Sequence, residues 1–165
     1  MKIRITKANA HGNSFILINN IINIDLINNK IISNICSKHN TDGLIILDSS
    51  DTNNIKMDYY NNDGSWETLC VNGLLCTGEL LSNIYSKNSF DIYCGDGVHT
   101  INKDNNLFNI SMPKPTYKSK KIEVENIQGY YIDSGAKHFI INHEGMWSND
   151  DIIINTSKKI RYNKE

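Results

Sequence analysis

Hydrophobic and polar positions change period several times along the 165 residues, and these changes divide the chain into elements. Ile3 and Ile5 alternate with polar residues as in a half-buried strand, and His11-Gly12-Asn13 signals a turn. Phe15-Ile16-Leu17-Ile18 is a continuous apolar run of buried-strand length. From Asp25 to Lys38, Leu26, Ile27, Ile31, Ile32 and Ile35 recur at helical spacing. Thr41-Asp42-Gly43 forms a turn before a second buried run, Leu44-Ile45-Ile46-Leu47. A further strand, Lys56 to Tyr60, stops at the turn residues Asn61-Asn62-Asp63-Gly64.

The pattern over about Asn72 to Tyr85 predicts a helix with apolar residues on most sides: Leu74, Leu75, Cys76, Leu80, Leu81 and Ile84. Such a helix needs other structure around it, and Gly73 and Gly78 would let neighbouring backbone approach. Short strands follow at Phe90–Tyr93, Val98–Ile101 and Phe108–Met112, spaced as a meander that Pro113 and Pro115 end. Residues 114–126 are polar and read as a linker. Beyond them come strands Tyr130–Asp133 and His138–Ile141, then a helix capped by Asn149 that carries Ile152, Ile153, Lys159 and Ile160. We expect a complete first domain over 1–122 and an incomplete second over 123–165. The latter, at about forty residues, cannot bury a core of its own. No internal repeat is present.

Composition narrows the function classes. Seventeen basic and 18 acidic residues give a net charge of −1, with no footprint for nucleic acid or an anionic membrane. The run Lys118-Ser119-Lys120-Lys121 reads as a solvated loop. No apolar stretch approaches the roughly 18 residues of a membrane span, and the N-terminus lacks a signal-peptide core, so a cytoplasmic protein is expected. An apolar fraction of 39% suffices for one core; the Asn, Lys and Ile bias reads as coding bias. Cys36, Cys70, Cys76 and Cys94 are irregularly spaced and contain no Cys-x-x-Cys pair, which argues against a metal site or a disulfide framework.

Cys70 has the most chemical context. In Glu67-Thr68-Leu69-Cys70-Val71-Asn72-Gly73 it directly precedes the apolar helix. Free amide N–H groups and the helix dipole favour an anion there, either the thiolate or a ligand carboxylate. On the residues alone, a buried, inert cysteine is the commoner case. Cys76 reads as a small core residue.

Five ordered segments together resemble the diaminopimelate epimerase family, within the superfamily that includes proline racemase and phenazine-biosynthesis isomerases. They are Lys7–Phe15, Thr41–Leu47, Tyr60–Ser65, Glu67–Cys76 and Asp133–His138. In the fourth, the family has a Glu-x-Cys-Gly-Asn-Gly-x-Arg-Cys-type motif. The resemblance implies an α+β fold, with an antiparallel barrel-like sheet wrapped around a central apolar helix in each of two similar domains. It also implies a two-base proton transfer at an α-carbon, without pyridoxal phosphate or any other cofactor and without metal. One cysteine thiolate removes the proton while a second, as a thiol, delivers one to the opposite face. Helix N-termini and exclusion of water stabilise the developing carbanion.

By that resemblance Cys70 corresponds to the first-domain catalytic cysteine, and Asn72 and Gly73 to the carboxylate-binding helix start. Asn13 and Asn61 correspond to substrate-holding side chains, and His138 to a histidine beside the catalytic pair. Asn13 and Asn61 equally suit turns for backbone reasons, and His138 equally suits a satisfied core histidine. Val71 replaces the family glycine after the cysteine, Leu75 an arginine and Ala136 an asparagine. Asn9 lies near the usual place of a histidine, with His11 two residues on. These departures bear on which amino acid or peptide is the substrate.

Nothing after His138 resembles the family's Glu-Arg pair or its second Cys-Gly-Thr-Gly-type motif. The expectation is therefore one subunit of a split epimerase, with a second polypeptide supplying the other cysteine and half-domain. A non-catalytic binding module, or a truncated family member without activity of its own, is the alternative.

Overall fold

The computed structural model describes residues 4–20, 27–142, 150–161 and 163, which form two compact units, 1–112 and 113–165. In the first unit β1 (Thr6–Ala10) and β2 (Asn13–Asn19) form a hairpin whose turn residues His11 and Gly12 have φ of 54° and 84°. Helix α1 (Asn29–His39) follows, and then β3 (Gly43–Asp48), β4 (Ile55–Asn61) and the short β5 (Trp66–Glu67). Helix α2 (Val71–Tyr85) leads into the meander β6 (Ser89–Cys94), β7 (Gly97–Asp104) and β8 (Leu107–Ile110). The strands join in the order β1-β2-β3-β4-β6-β7-β8, with β5 paired to the end of β4.

The α+β class and the curled sheet around a central helix agree with the sequence reading. The sheet is mixed where a wholly antiparallel one was expected: β2–β3 and β4–β6 are parallel. Each parallel pair is joined by a connection containing a helix, α1 or α2, which is what parallel neighbours require. The helices explain why the central runs of β2 and β3, Phe15–Ile18 and Leu44–Leu47, are apolar at every position. Phe15, Leu17, Ile45 and Leu47 pack in the cluster shared with Leu74 and Leu81 of α2. Ile16, Ile18, Leu44 and Ile46 pack on the other face with Ile32 and Cys36 of α1. A strand covered on both faces has no polar side to alternate with.

Both helices have identifiable ends. Asn28 caps α1, its side-chain oxygen accepting from Ile31 N–H at 3.0 Å, and Asn40 closes the helix in the left-handed region at φ 49°. The α1 start that the pattern placed at Asp25 and Leu26 lies outside the described residues. Strand β1 begins later than the alternation of Ile3 and Ile5 suggests. Register through the tight turn pairs Thr6 with Leu17 and Ala10 with Asn13, and Ile5 is exposed.

The second unit contains β9 (Tyr117–Lys118), β10 (Ile122–Val124), β11 (Ile127–Asp133), β12 (Lys137–Ile140) and α3 (Asp150–Arg161). Strand β11 pairs with β12 on one edge and with β10 and then β9 on the other. Residues 114–126 thus hold two strands where the polarity predicted a linker. The β10–β11 turn places Glu125 and Asn126 at φ 52° and 61°, a tight hairpin built without glycine. Among the described residues of this unit, Gly129 alone is buried, and Ile122, Ile140 and Ile154 are exposed. The expected helix cap Asn149 lies outside the described residues.

Candidate active site

Strand β5 and the start of α2 deliver Cys70. Leu69 is buried, and Gly95 N–H donates to Thr68 O at 3.0 Å, fixing the connector against the β6–β7 turn. Cys70 is the N-cap of α2, extended at φ −141° and ψ 107°. Its Sγ accepts from Gly73 N–H at 3.4 Å, and its carbonyl accepts from Leu74 N–H at 2.9 Å. A cysteine therefore fills the place where serine or aspartate would ordinarily satisfy the first free amides. Gly73 allows this: a Cβ there would lie 3.0 Å from Ile45 Cδ1 and 3.5 Å from the Cys70 sulfur.

Tyr59, which sequence reasoning missed, completes the surroundings of the thiol. Its hydroxyl lies within hydrogen-bond reach of Cys70 and donates to Asn61 Oδ1 at 2.8 Å. Asn61 Nδ2 in turn donates to Ser65 Oγ at 3.0 Å, so Asn61 serves both the β4–β5 turn and the tyrosine. The Tyr59 ring packs edge-on to Phe15, with centroids 6.0 Å apart, and lies over Gly43, where a Cβ would meet Tyr59 Cε2 at 2.7 Å. The signal available was that Met57 and Tyr59 share a face of an alternating strand whose end meets the motif turn.

Register gathers the remaining first-unit candidates at one end of the sheet. Phe15 pairs with Gly43, and Gly43 with Asn61, so Asn13, Asp42 and Asn61 all flank that end. Asp42 Oδ2 accepts from Ser14 N–H at 2.8 Å and Ser14 Oγ at 2.9 Å, with the Asn13 side chain also bonded to the carboxylate. These hydrogen bonds hold the Asp42 carboxyl below its ordinary value. Asn72 sits half-buried in the first turn of α2, its N–H directed at the Cys70 sulfur. His138 is exposed on β12, paired with Ile132, in the second unit. Val71 is exposed at the first position of α2, and Leu75 is half-buried. Ala136 follows Gly135 (φ 94°) in the β11–β12 turn, and its carbonyl accepts from Ser134 N–H at 3.2 Å. Asn9 closes the β1–β2 turn, its side chain accepting from Gly12 N–H at 3.1 Å.

Electrostatics departs from the sequence expectation of a favoured thiolate. Burial pushes the Cys70 thiol up, by more than the Gly73 and Asn72 N–H groups and the Tyr59 hydroxyl pull it down. Cys70 thus rests as a thiol, with the Gly73 and Asn72 N–H groups facing its sulfur and the Tyr59 hydroxyl beside it, its one hydrogen shared with Asn61. Burial, and then the neighbouring Cys70, Glu67 and Asp42, raise the Tyr59 hydroxyl well above its ordinary range, so it remains a donor.

A curled sheet around a central helix is also the fold of solved structures of a predicted epimerase and of PhzF-family proteins. A protein of Pseudomonas aeruginosa described as a predicted epimerase superimposes with a TM-score of 0.66 at 8% identity, over 96% of this chain and 67% of that one. A PhzF-family phenazine biosynthesis protein of Bacillus anthracis gives 0.55 at 17% identity, over 84% of this chain and 55% of that one. At such identities the likeness concerns the fold alone.

Within that group, the sequence resemblance is to diaminopimelate epimerase. The chain is 32% identical to the enzyme of Flavobacterium psychrophilum, over 97% of its own length and 62% of the relative's. It is 29% identical to that of Halothermothrix orenii, over 93% and 60%. It spans about half to three fifths of the curated relatives it matches, consistent with their N-terminal half. No family model matches the chain.

Proposed function

We propose that this chain supplies one half of the active site of an amino-acid epimerase or racemase that works without pyridoxal phosphate, with Cys70 as one of its two proton-transfer groups. The observation that carries the proposal is the Cys70 sulfur at the start of α2, held by Gly73 N–H at 3.4 Å and approached by the Tyr59 hydroxyl.

In one direction the resting S–H delivers its proton to one face of a substrate carbanion. The thiolate left behind is held by the amides of Gly73 and Asn72 and by Tyr59. In the other direction that thiolate removes the α-proton and returns to the thiol. Inversion needs a second acid/base group on the opposite face. We assign it to a cysteine on a second polypeptide that also completes the second unit, where the described side chains bury almost nothing. Asn13 and Asn61 hold the substrate, the helix start at Asn72 and Gly73 faces its carboxylate, and His138 lies beside the catalytic pair once the halves assemble. A reducing cytoplasm suits four free cysteines.

Co-expression with a chain bearing a Cys-Gly-Thr-Gly-like motif should give α-proton exchange in D₂O on an amino acid or peptide, and Cys70→Ser should abolish it. A second reading, a binding module without catalysis, draws on Val71 beside a cysteine that rests as a thiol. Under it, Cys70→Ser leaves partner or ligand binding intact, and exchange never appears.

A further inference from the structure

The β6–β7 hairpin brings together three side chains that the proton-transfer chemistry leaves unused. Cys94 ends β6, Asp96 lies in the turn and His99 is the third residue of β7. Because Ile92 pairs with His99, Cys94 lies on the same face as His99 two residues further along β6. One ligand atom from each of the three lies within 4.8 Å of the others, the one such group among the described residues.

The hydrogen bonds around His99 set a specific condition. His99 is fully buried, and its Nδ1 lies 3.0 Å from Ser111 O. A carbonyl oxygen only accepts, so Nδ1 carries the hydrogen, and a neutral ring then presents a lone pair at Nε2. That nitrogen lies 2.9 Å from Asp96 Oδ1, another lone-pair atom. Two such atoms approach this closely only around a shared cation, either a proton or a metal ion. The other Asp96 oxygen, Oδ2, is buried without a hydrogen-bond partner among the described residues, and the Asp96 side chain is only 7% exposed. A proton shared with Oδ1 leaves Oδ2 unsatisfied, whereas a metal ion gives the carboxylate, the imidazole and the nearby sulfur one common partner. An Nδ1–H donated to a backbone carbonyl is also the usual second contact of a metal-bound histidine.

We propose that Cys94, Asp96 and His99 form a divalent-metal site that clips the β6–β7 hairpin, with zinc the best-suited ion. Thiolate, imidazole and carboxylate are the donor types of tetrahedral zinc, and a water would fill the fourth position. Binding forms a metal–sulfur bond, and the thiol hydrogen leaves to solvent as a proton. The site is independent of the role given to Cys70. Spacing alone argued against metal because the ligands come from a hairpin turn and a cross-strand neighbour rather than a Cys-x-x-Cys pair.

The test is titration of the reduced 165-residue chain with cobalt(II). One equivalent should bind, giving the visible bands of tetrahedral cobalt and a near-ultraviolet thiolate charge-transfer band, both removed by zinc. Cys94→Ser should lose the charge-transfer band and weaken binding at least about tenfold, while Cys70→Ser keeps both. Should Cys94→Ser fail to fold, Asp96→Asn at the turn decides the matter by the same loss of affinity. A folded wild-type chain without these bands, or bands unchanged in Cys94→Ser or in folded Asp96→Asn, overturns the proposal.

Discussion

Two opposed effects act on the Cys70 sulfur: half-burial favours the thiol, and the amides of Asn72 and Gly73 with the Tyr59 hydroxyl favour the thiolate. Tyr59 is the adjustable part of the second set, because its hydroxyl is shared with Asn61 Oδ1 at 2.8 Å. Removing that hydroxyl takes one hydrogen bond from the anion and leaves the ring packed on Phe15. Tyr59→Phe should therefore slow iodoacetamide alkylation of Cys70 about tenfold at mildly alkaline pH, since a hydrogen bond to a charged group contributes about 1.5–3 kcal/mol. An unchanged rate in a folded variant would show that the hydroxyl does not serve the thiolate. Gly64 tests a different residue-scale constraint. It has a φ of +89°, and a Cβ there would lie 2.3 Å from Asn29 O at the start of α1. Gly64→Ala should cost about 2 kcal/mol or more in urea unfolding.

At the scale of elements, α2 organises the first unit, with Leu74 and Leu81 fully buried in the cluster formed with β2 and β3. Leu74→Ala should destabilise the chain by about 2–5 kcal/mol, while Ile84→Ala, on the exposed side, should change urea stability by less than about 0.5 kcal/mol. Most elements of this unit could be read in advance because their signals are local. Phe15–Ile18 and Leu44–Leu47 are unbroken apolar runs, and the all-round apolar face of α2 demanded a surrounding sheet. The parallel pairing of β2 with β3 depends on where α1 carries the chain, which periodicity does not encode. Strand β10 escaped notice because Ile122-Glu123-Val124 is three residues long and Glu125-Asn126 lacks a glycine signal. The site divides in the same way. Cys70, Asn72 and Gly73 lie together in sequence and were legible. Tyr59 meets the thiol only through strand pairing, and in the sequence it is one more aromatic residue on an alternating strand.

For the whole chain, titration gives a signed expectation. Cys36, Cys70, Cys76 and Cys94 are all raised above the ordinary 9.0 by burial, Cys76 to about 11 and Cys94 to about 12. The unfolded chain therefore releases thiol protons first as pH rises, and it binds fewer protons than the folded chain in that window. Stability should be fully retained below about pH 9, then fall steadily toward pH 11–12. Urea midpoints measured across that range check the slope, and a flat profile would show that the thiols are not buried in solution. The same scale governs function: the chain spans about half to three fifths of its relatives' length, and under the proposed function it provides one of the two groups that inversion requires. The most direct measurement is deuterium incorporation at the α-carbon by this chain assembled with a partner carrying the second cysteine. The account predicts incorporation by the pair, none by either chain alone and none with Cys70→Ser. Incorporation that persists at full rate in the Cys70→Ser pair would contradict it.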